Sequence, residues 1–374
     1  MKRRWWNRIA AVAVCAVLGA AGLAGCGRTE EGGTGNPQGV EKDESGAGNT
    51  QGSDAGENGS AQGTPGTDET EVSGKERISV RVGSLKGPTS MGLLMLKEKA
   101  EAGELSNDYE FTMASAADEL LPLMVKGDMD VALVPANVAA VLYQKTNGGV
   151  VAVDINTLGV LYMVSGNQEI GKAEDLREKT IYLTGKGTTP DYVLHYVLEG
   201  NGLNQEDYKL EYKSEASEVA ALLAENPDGI GLLPQPFVTA ACAQNEALSV
   251  VLDMNEEWDR LQGDGGSRLV TGVTVVRREF LKEHEDAVKA FMAEHKASAE
   301  AINADVEKGA QLAAAEGIVA KEAIAKKAIP ECNITYIDGK EMKAALQGYL
   351  NVLFEQNADA VGGKLPEEAF YYIP

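Results

Sequence analysis

Two lobes of α/β architecture with mostly parallel sheets are predicted from three observations: strand-like and helix-like segments alternate, one run of segments occurs twice, and the foldable part of the chain is long. Residues 77–374 number 298, which exceeds one ordinary core and favours two. The full chain has 374 residues, 44% apolar and 24% charged, a globular composition.

The N-terminus reads as an address. Lys2, Arg3, Arg4 and Arg8 precede a continuously apolar run over 9–18, and Leu23-Ala24-Gly25-Cys26 follows. A basic start, a short apolar run and small residues before a cysteine make a secretory signal ending in a lipobox, with 1–25 the signal peptide and Cys26 the lipidated N-terminus. The apolar run is too short for a comfortable membrane span. Residues 26–76 are then the lipidated cysteine and its tether. The stretch 27–76 holds 13 Gly, no aromatic residue, and 11 acidic against 3 basic side chains, so it cannot bury enough surface to fold. Self-repulsion extends it beyond the roughly 40 Å of a flexible coil of this length. The expected location is the outer face of the cell membrane.

Charge and chemistry exclude several classes. The net charge is −23, from 57 acidic and 34 basic side chains, and no Lys/Arg block follows Arg8, so a nucleic-acid surface is excluded. Three His (His195, His284, His295) and four Cys lie far apart, and no zinc module or disulfide scaffold follows from their spacing. No metal and no cofactor is expected. Cys15 leaves with the signal, and Cys242 and Cys332 are expected as two separate buried thiols.

In the folded part, alternation over 77–83 predicts a strand, apolar spacing over 91–102 a helix, then strand 109–113, helix 116–126 and buried strand 131–134. The order recurs as strand 180–184, helix 191–199, strand 208–212, helix 215–224 and strand 230–233. Shifting one stretch onto the other by 99 residues needs no gap and gives ten identities over the 47 positions 89–135. Thr89 falls on Thr188, Ser115 on Ser214 and Pro135 on Pro234. These are carboxyl ends of strands, where open α/β sheets bind ligands.

Two such units facing one another make a cleft for a small polar molecule. In the first, residues 83–90 supply a turn, Pro88, and the hydroxyls of Thr89 and Ser90, which either cap the helix or donate to a ligand. In the second, residues 184–190 place Pro190 at a helix start. Neither loop has a nucleotide-binding glycine pattern. Neither contains Arg, so no bidentate clamp is expected and the ligand is neutral, zwitterionic or singly anionic.

The stretch Leu123-Met-Val-Lys-Gly-Asp-Met-Asp-Val-Ala-Leu-Val-Pro135 resembles the helix-Gly-x-x-Asp-strand step of type II solute-binding proteins of ABC transporters. Residues 272–291 resemble the return strand and helix of the branch that includes nitrate, sulfonate, taurine and thiamine-precursor binders, and residues 362–372 look like the tail of lipoproteins in that branch. The resemblance implies a Venus-flytrap with mixed, mostly parallel sheets and two hinge crossings, out near 154–162 and back near 252–274. Lobe 1 is then 77–156 with 272–374, and lobe 2 is 157–271. The binding positions it implies are Ser84, Thr89, Ser90, Ser115 and Asn137 on lobe 1, and Lys186, Gly187, Thr188, Thr189 and Gln235 on lobe 2. The first helix lacks the Gly-aromatic-x-x-x-Gly-Leu stretch of many nitrate and taurine members, which argues against those solutes.

Trp258 is expected to pack at the hinge, Tyr162, Tyr192 and Phe237 in the core, and His195 to face solvent from an amphipathic helix. The expected function is a monomeric, lipid-anchored solute receptor that delivers a small molecule to an ABC permease. Two alternatives stay open: an enzyme on the same fold, such as the dehydratases of menaquinone biosynthesis or pyrimidine-forming enzymes, and a tethered ligand sensor.

Overall fold

The computed structural model describes residues 77–263 and 267–374. The signal peptide, Cys26 and the tether lie outside the described residues. Eleven strands are seen among the described residues: β1 (Ser79–Leu85), β2 (Asp108–Ala114), β3 (Val131–Pro135), β4 (Val150–Leu158), β5 (Leu161–Ser165), β6 (Thr180–Thr184), β7 (Lys209–Lys213), β8 (Ile230–Pro234), β9 (Ser249–Asp253), β10 (Val270–Arg277) and β11 (Ile334–Asp338).

They form two mixed sheets rather than mostly parallel ones: β1 pairs in parallel with β2 and β3, and β6 with β7 and β8, whereas every strand pair made by β4, β5, β9, β10 and β11 is antiparallel, because these strands carry the chain out of and back into each sheet. The first has the order β11-β4-β10-β3-β1-β2, the second β7-β6-β8-β5-β9. Strand β3 is an unbroken apolar run, buried up to Pro135 as a strand covered on both faces must be, and β4 is buried throughout although it carries Asp154, Asn156 and Thr157. By contrast β2, at a sheet edge, alternates between exposed and half-buried positions.

The repeat read at a shift of 99 residues is preserved in the pairing itself. Val82 pairs with Phe111 and Val131; Ile181, 99 residues on, pairs with Leu210 and Ile230. Both triplets are parallel and have the same spatial order. Helices Ala117–Lys126 and Ala216–Glu225 also correspond residue for residue.

The chain leaves the first sheet at the end of β4 and enters the second at β5; it returns through helix Met254–Gln262 into β10. The two crossings are joined by buried polar groups. Thr274 of β10 donates from Oγ1 to Asp154 of β4 at 2.7 Å, Asn156 donates to Thr274 at 3.1 Å, and Thr157 donates to Asn156 at 2.9 Å. Each polar group taken from water thus has a partner. The chain passes closely here: a Cβ on Gly272 would lie 2.4 Å from Asn156 Oδ1 and 2.6 Å from Thr89 Cγ2. At the opposite end of the first sheet, buried Asp130 binds Arg81 of β1 and Arg277 of β10.

The first predicted helix needs correction. The helix predicted over 91–102 is divided into Pro88–Met91 and Leu94–Glu101. The break falls at Gly92, where the backbone lies against Ile334 of β11 and His295, partners more than 200 residues away that local spacing does not reveal.

Candidate ligand-binding site

The parallel strands of each unit deliver helix starts to the same edge. In the first unit these follow Leu85, Ala114 and Pro135; in the second, Thr184, Lys213 and Pro234. Several of their free amides already have acceptors from the chain itself. Glu119 Oε1 accepts from the N–H of Ser115 (3.1 Å) and Ala116 (2.9 Å), Glu218 Oε2 from Ser214 (3.3 Å), and Asp191 Oδ2 from Gly187 (2.8 Å). A carboxylate at a helix N-terminus satisfies both the amides and the dipole, so these starts do not await an anionic ligand.

The units meet at a seam. Asn137, at the start of helix Ala136–Lys145, lies 3.5 Å from the Thr189 hydroxyl, at the start of helix Thr189–Gly200. Beside them Tyr349, from the C-terminal helix Gly339–Gln356, is buried; its hydroxyl feels the Thr189 side chain but closes no hydrogen bond of normal geometry. Its ring leads a stack through Trp258 (5.5 Å between centroids) to Tyr196 (4.3 Å from Trp258). Further ties cross the same seam: Asn357 donates to the Tyr192 hydroxyl at 2.8 Å, Gln356 to the Tyr192 carbonyl at 3.0 Å, and Tyr162 to the Glu331 carbonyl at 2.8 Å.

Two grooves flank it. One, about 630 Å³, is lined by Tyr162, Gln235, Thr239, Asp253, Glu256 and Glu331, with Lys327 at its wall. Burial pushes the Asp253 carboxyl above its ordinary range and the Cys242 thiol up as well. The other groove, about 870 Å³, is lined by Asp191, Tyr192, His195, Tyr196, Glu199 and Glu355 among others. Burial pushes the Asp191 carboxyl up, but hydrogen bonds from His195, Tyr212 and the Gly187 N–H outweigh it and hold the group below the usual carboxylate range. Burial, with Glu199 and Asp191 nearby, pushes the Tyr208 phenol up to about 12. Both grooves are acidic, which suits a neutral, zwitterionic or cationic guest better than an anion.

The predicted positions fall in separate places. Asn137 and Thr189 come together. Thr89 and Ser90 both donate to the Leu85 carbonyl (3.0 and 2.6 Å), and Ser90 contacts Ser84 at 2.7 Å. Ser84 and Ser90 line a small cavity of about 50 Å³ that the Lys97–Glu316 ion pair also lines, away from the seam. Ser115, Lys186, Gly187 and Thr188 are exposed; Lys186 lies over the Tyr212 ring at 5.4 Å, and Thr188 donates to the Gly185 carbonyl. Gln235 is buried and accepts from Thr239.

His195 is half-buried rather than freely solvent-facing, and it lines the larger groove. Its Nδ1 is 2.8 Å from the Tyr208 hydroxyl and its Nε2 is 3.3 Å from Asp191. Helical spacing placed it opposite the apolar stripe, but Tyr208 arrives from the following connection and covers it. Trp258 is fully buried and donates to Ser267, so it packs at the crossing. Phe237 is 40% exposed rather than core. Tyr349 and Asn357 were not singled out from the sequence. Tyr349 sits in an apolar stripe with Met342, Leu346 and Leu353, which reads as core. Among the described residues no group of three or more His, Cys, Asp or Glu is placed to hold a metal, and no helix is long and apolar enough to cross a membrane.

A family model described as menaquinone biosynthesis matches residues 89–355. Among curated proteins, none matches the chain. Solved structures share its fold. An ABC transporter protein of Parabacteroides distasonis is 24% identical over 80% of this chain and 99% of its own, with a TM-score of 0.67. The periplasmic aliphatic sulphonate binding protein of Escherichia coli is 15% identical over 76% and 94%, with a TM-score of 0.62. The periplasmic nitrate-binding protein of Synechocystis is 13% identical over 76% and 84%, with a TM-score of 0.54. The architecture is therefore that of type II periplasmic binding proteins.

Proposed function

The chain belongs to the menaquinone biosynthesis family, whose model matches 89–355, and from that premise and the binding-protein fold we propose that it is a lipid-anchored, extracytoplasmic solute-binding component of an ABC importer. It closes two lobes, 77–156 with 272–374 and 157–271, on one small organic solute and presents the closed form to a membrane permease. The observation that carries this reading is the meeting of Asn137 and Thr189, a helix start after the third strand of one copy of the supersecondary unit and a helix start after the first strand of the other. A solute touching both would favour the closed state by its differential affinity. The self-capped helix starts and acidic grooves favour a neutral or zwitterionic solute. Cys26 holds the protein to the outer membrane face, Gln235 lines one of the flanking grooves and Gly187 the other.

The family match supports a second reading, an enzyme on the same fold, and the Asp191–His195–Tyr208 chain beside the larger groove would supply its proton relay. Native mass spectrometry of the full chain purified from cell membranes separates the two. A stoichiometric solute returned unchanged supports the receptor; conversion of an added candidate into product would replace that reading with the enzyme.

A further inference from the structure

The grooves along the seam are acidic, whereas a groove of about 740 Å³ elsewhere is basic: Lys126, Lys145, Arg277, Arg278 and Lys282 line it against Glu279 alone. It lies at the edge of the first sheet opposite the helix starts. Helices Ala117–Lys126 and Ala136–Lys145 end there, β4 begins there, and β10 ends there.

The two arginines are engaged. Arg277 binds Asp130, Glu279 and the Met129 carbonyl; Arg278 donates to the carbonyls of Gly148 and Ala369. The three lysines are exposed and have no ion-pair partner among the described residues. Each offsets the negative end of its own helix, but all three ends open on one groove. Val125, 58% exposed, stands at its rim.

The start of β1 is at this same edge, since Arg81 donates to the Gly127 carbonyl at 2.8 Å and to Asp130. A chain with 57 acidic and 34 basic side chains is repelled as a whole by an anionic surface, so one basic edge would set its orientation there.

We propose that this groove docks on the anionic headgroups of a lipid bilayer, with Lys126, Lys145 and Lys282 reaching phosphates and Val125 entering the interface. The choice of a bilayer rests on the anchor reading of Cys26; the cationic groove does not. Docking holds the basic edge toward the membrane and leaves the seam and its grooves open to solute. The attraction is screened by salt.

The test is amine acylation of the full chain bound to vesicles, read residue by residue by mass spectrometry. Vesicles of phosphatidylcholine are compared with the same lipid carrying about 30% phosphatidylglycerol. Labelling of Lys126, Lys145 and Lys282 is expected to fall roughly five-fold on the anionic vesicles and to recover in high salt, while exposed Lys99 and Lys340 label equally on both. In the K126E/K145E/K282E variant, binding to vesicles should no longer depend on phosphatidylglycerol. Equal labelling of the three lysines on both vesicles would overturn the proposal. So would equal protection by millimolar inorganic phosphate without vesicles, which would make the groove a site for free anions. The intact mass of the membrane-extracted chain reports separately whether Cys26 carries lipid, so failure of the anchor is distinguishable from failure of the groove.

Discussion

Asn137 and Thr189 lie 3.5 Å apart across the seam, where a helix start of one unit meets a helix start of the other. A contact this long is weak, and a solute supplying shorter hydrogen bonds to both would replace it at little cost. Asn137→Ala and Thr189→Ala are each expected to weaken binding of the co-purifying solute by about ten-fold, read by calorimetry. Unchanged affinity in both variants would remove the seam as the binding point.

Tyr349 carries a buried hydroxyl without a hydrogen-bond partner, and its ring packs on Trp258. Removing only the oxygen should relieve an unsatisfied group: Tyr349→Phe is expected to leave the Tm of the solute-free chain unchanged or raise it by about 1–3 °C. Tyr349→Ala, which also removes the ring, should cost about 3–5 kcal/mol in chemical denaturation. A clear loss of stability in the Phe variant would show that the hydroxyl is paired.

Gly272 leaves no room for a side chain between Asn156 and Thr89. Gly272→Ala forces apart the strands that connect the two sheets and should destabilise by about 1–3 kcal/mol, with the denaturation midpoint as the readout. A neutral result would mean that the crossing is looser than its contacts suggest.

Asp130 is buried between Arg81 and Arg277. Burial alone would raise its carboxyl, but hydrogen bonds from the two guanidinium groups and the Arg81 N–H hold it below the ordinary range. A depressed folded value stabilises above the unfolded pKa of about 3.9, and the contribution is lost as pH falls through the folded value. Asp130→Asn should therefore lower the Tm at neutral pH and flatten its acid limb below about pH 4. An acid limb unchanged by the substitution would place that dependence on other carboxylates.

Cys242 and Cys332 are both free. Burial pushes the Cys332 thiol up to about 12 and raises Cys242 as well, so few thiolates exist at neutral pH. In the native chain Cys332 should resist iodoacetamide until unfolding, with half-buried Cys242 reacting first, as mass mapping would show.

Several elements were legible because their causes are local. The strand at 180–184 follows from the alternation of Ile181 and Leu183 with less buried neighbours, the edges of 131–135 and 230–234 follow from apolar and small-residue runs, and the 99-residue shift recurs in the pairing, since the same spacing of the same residue types imposes the same register. The expected hydroxyls at strand ends are present, but the sequence does not distinguish a capping group from one aimed at a solute. Thr89, Ser90 and Thr188 turn back to nearby carbonyls, whereas Thr189 reaches the other unit.

By itself the sequence determined the alternation of strands and helices, the duplication, the acidic balance and the spacing of each helix start, because these depend on side chains within a few turns of one another. Tertiary structure alone decided that Gly92 breaks a helix against Ile334, that Tyr208 covers His195, and that Tyr349 from the last long helix stands beside Thr189. The physical reason is distance along the chain. A buried contact depends on which surfaces meet after the chain has crossed twice between sheets, and no local periodicity records that meeting.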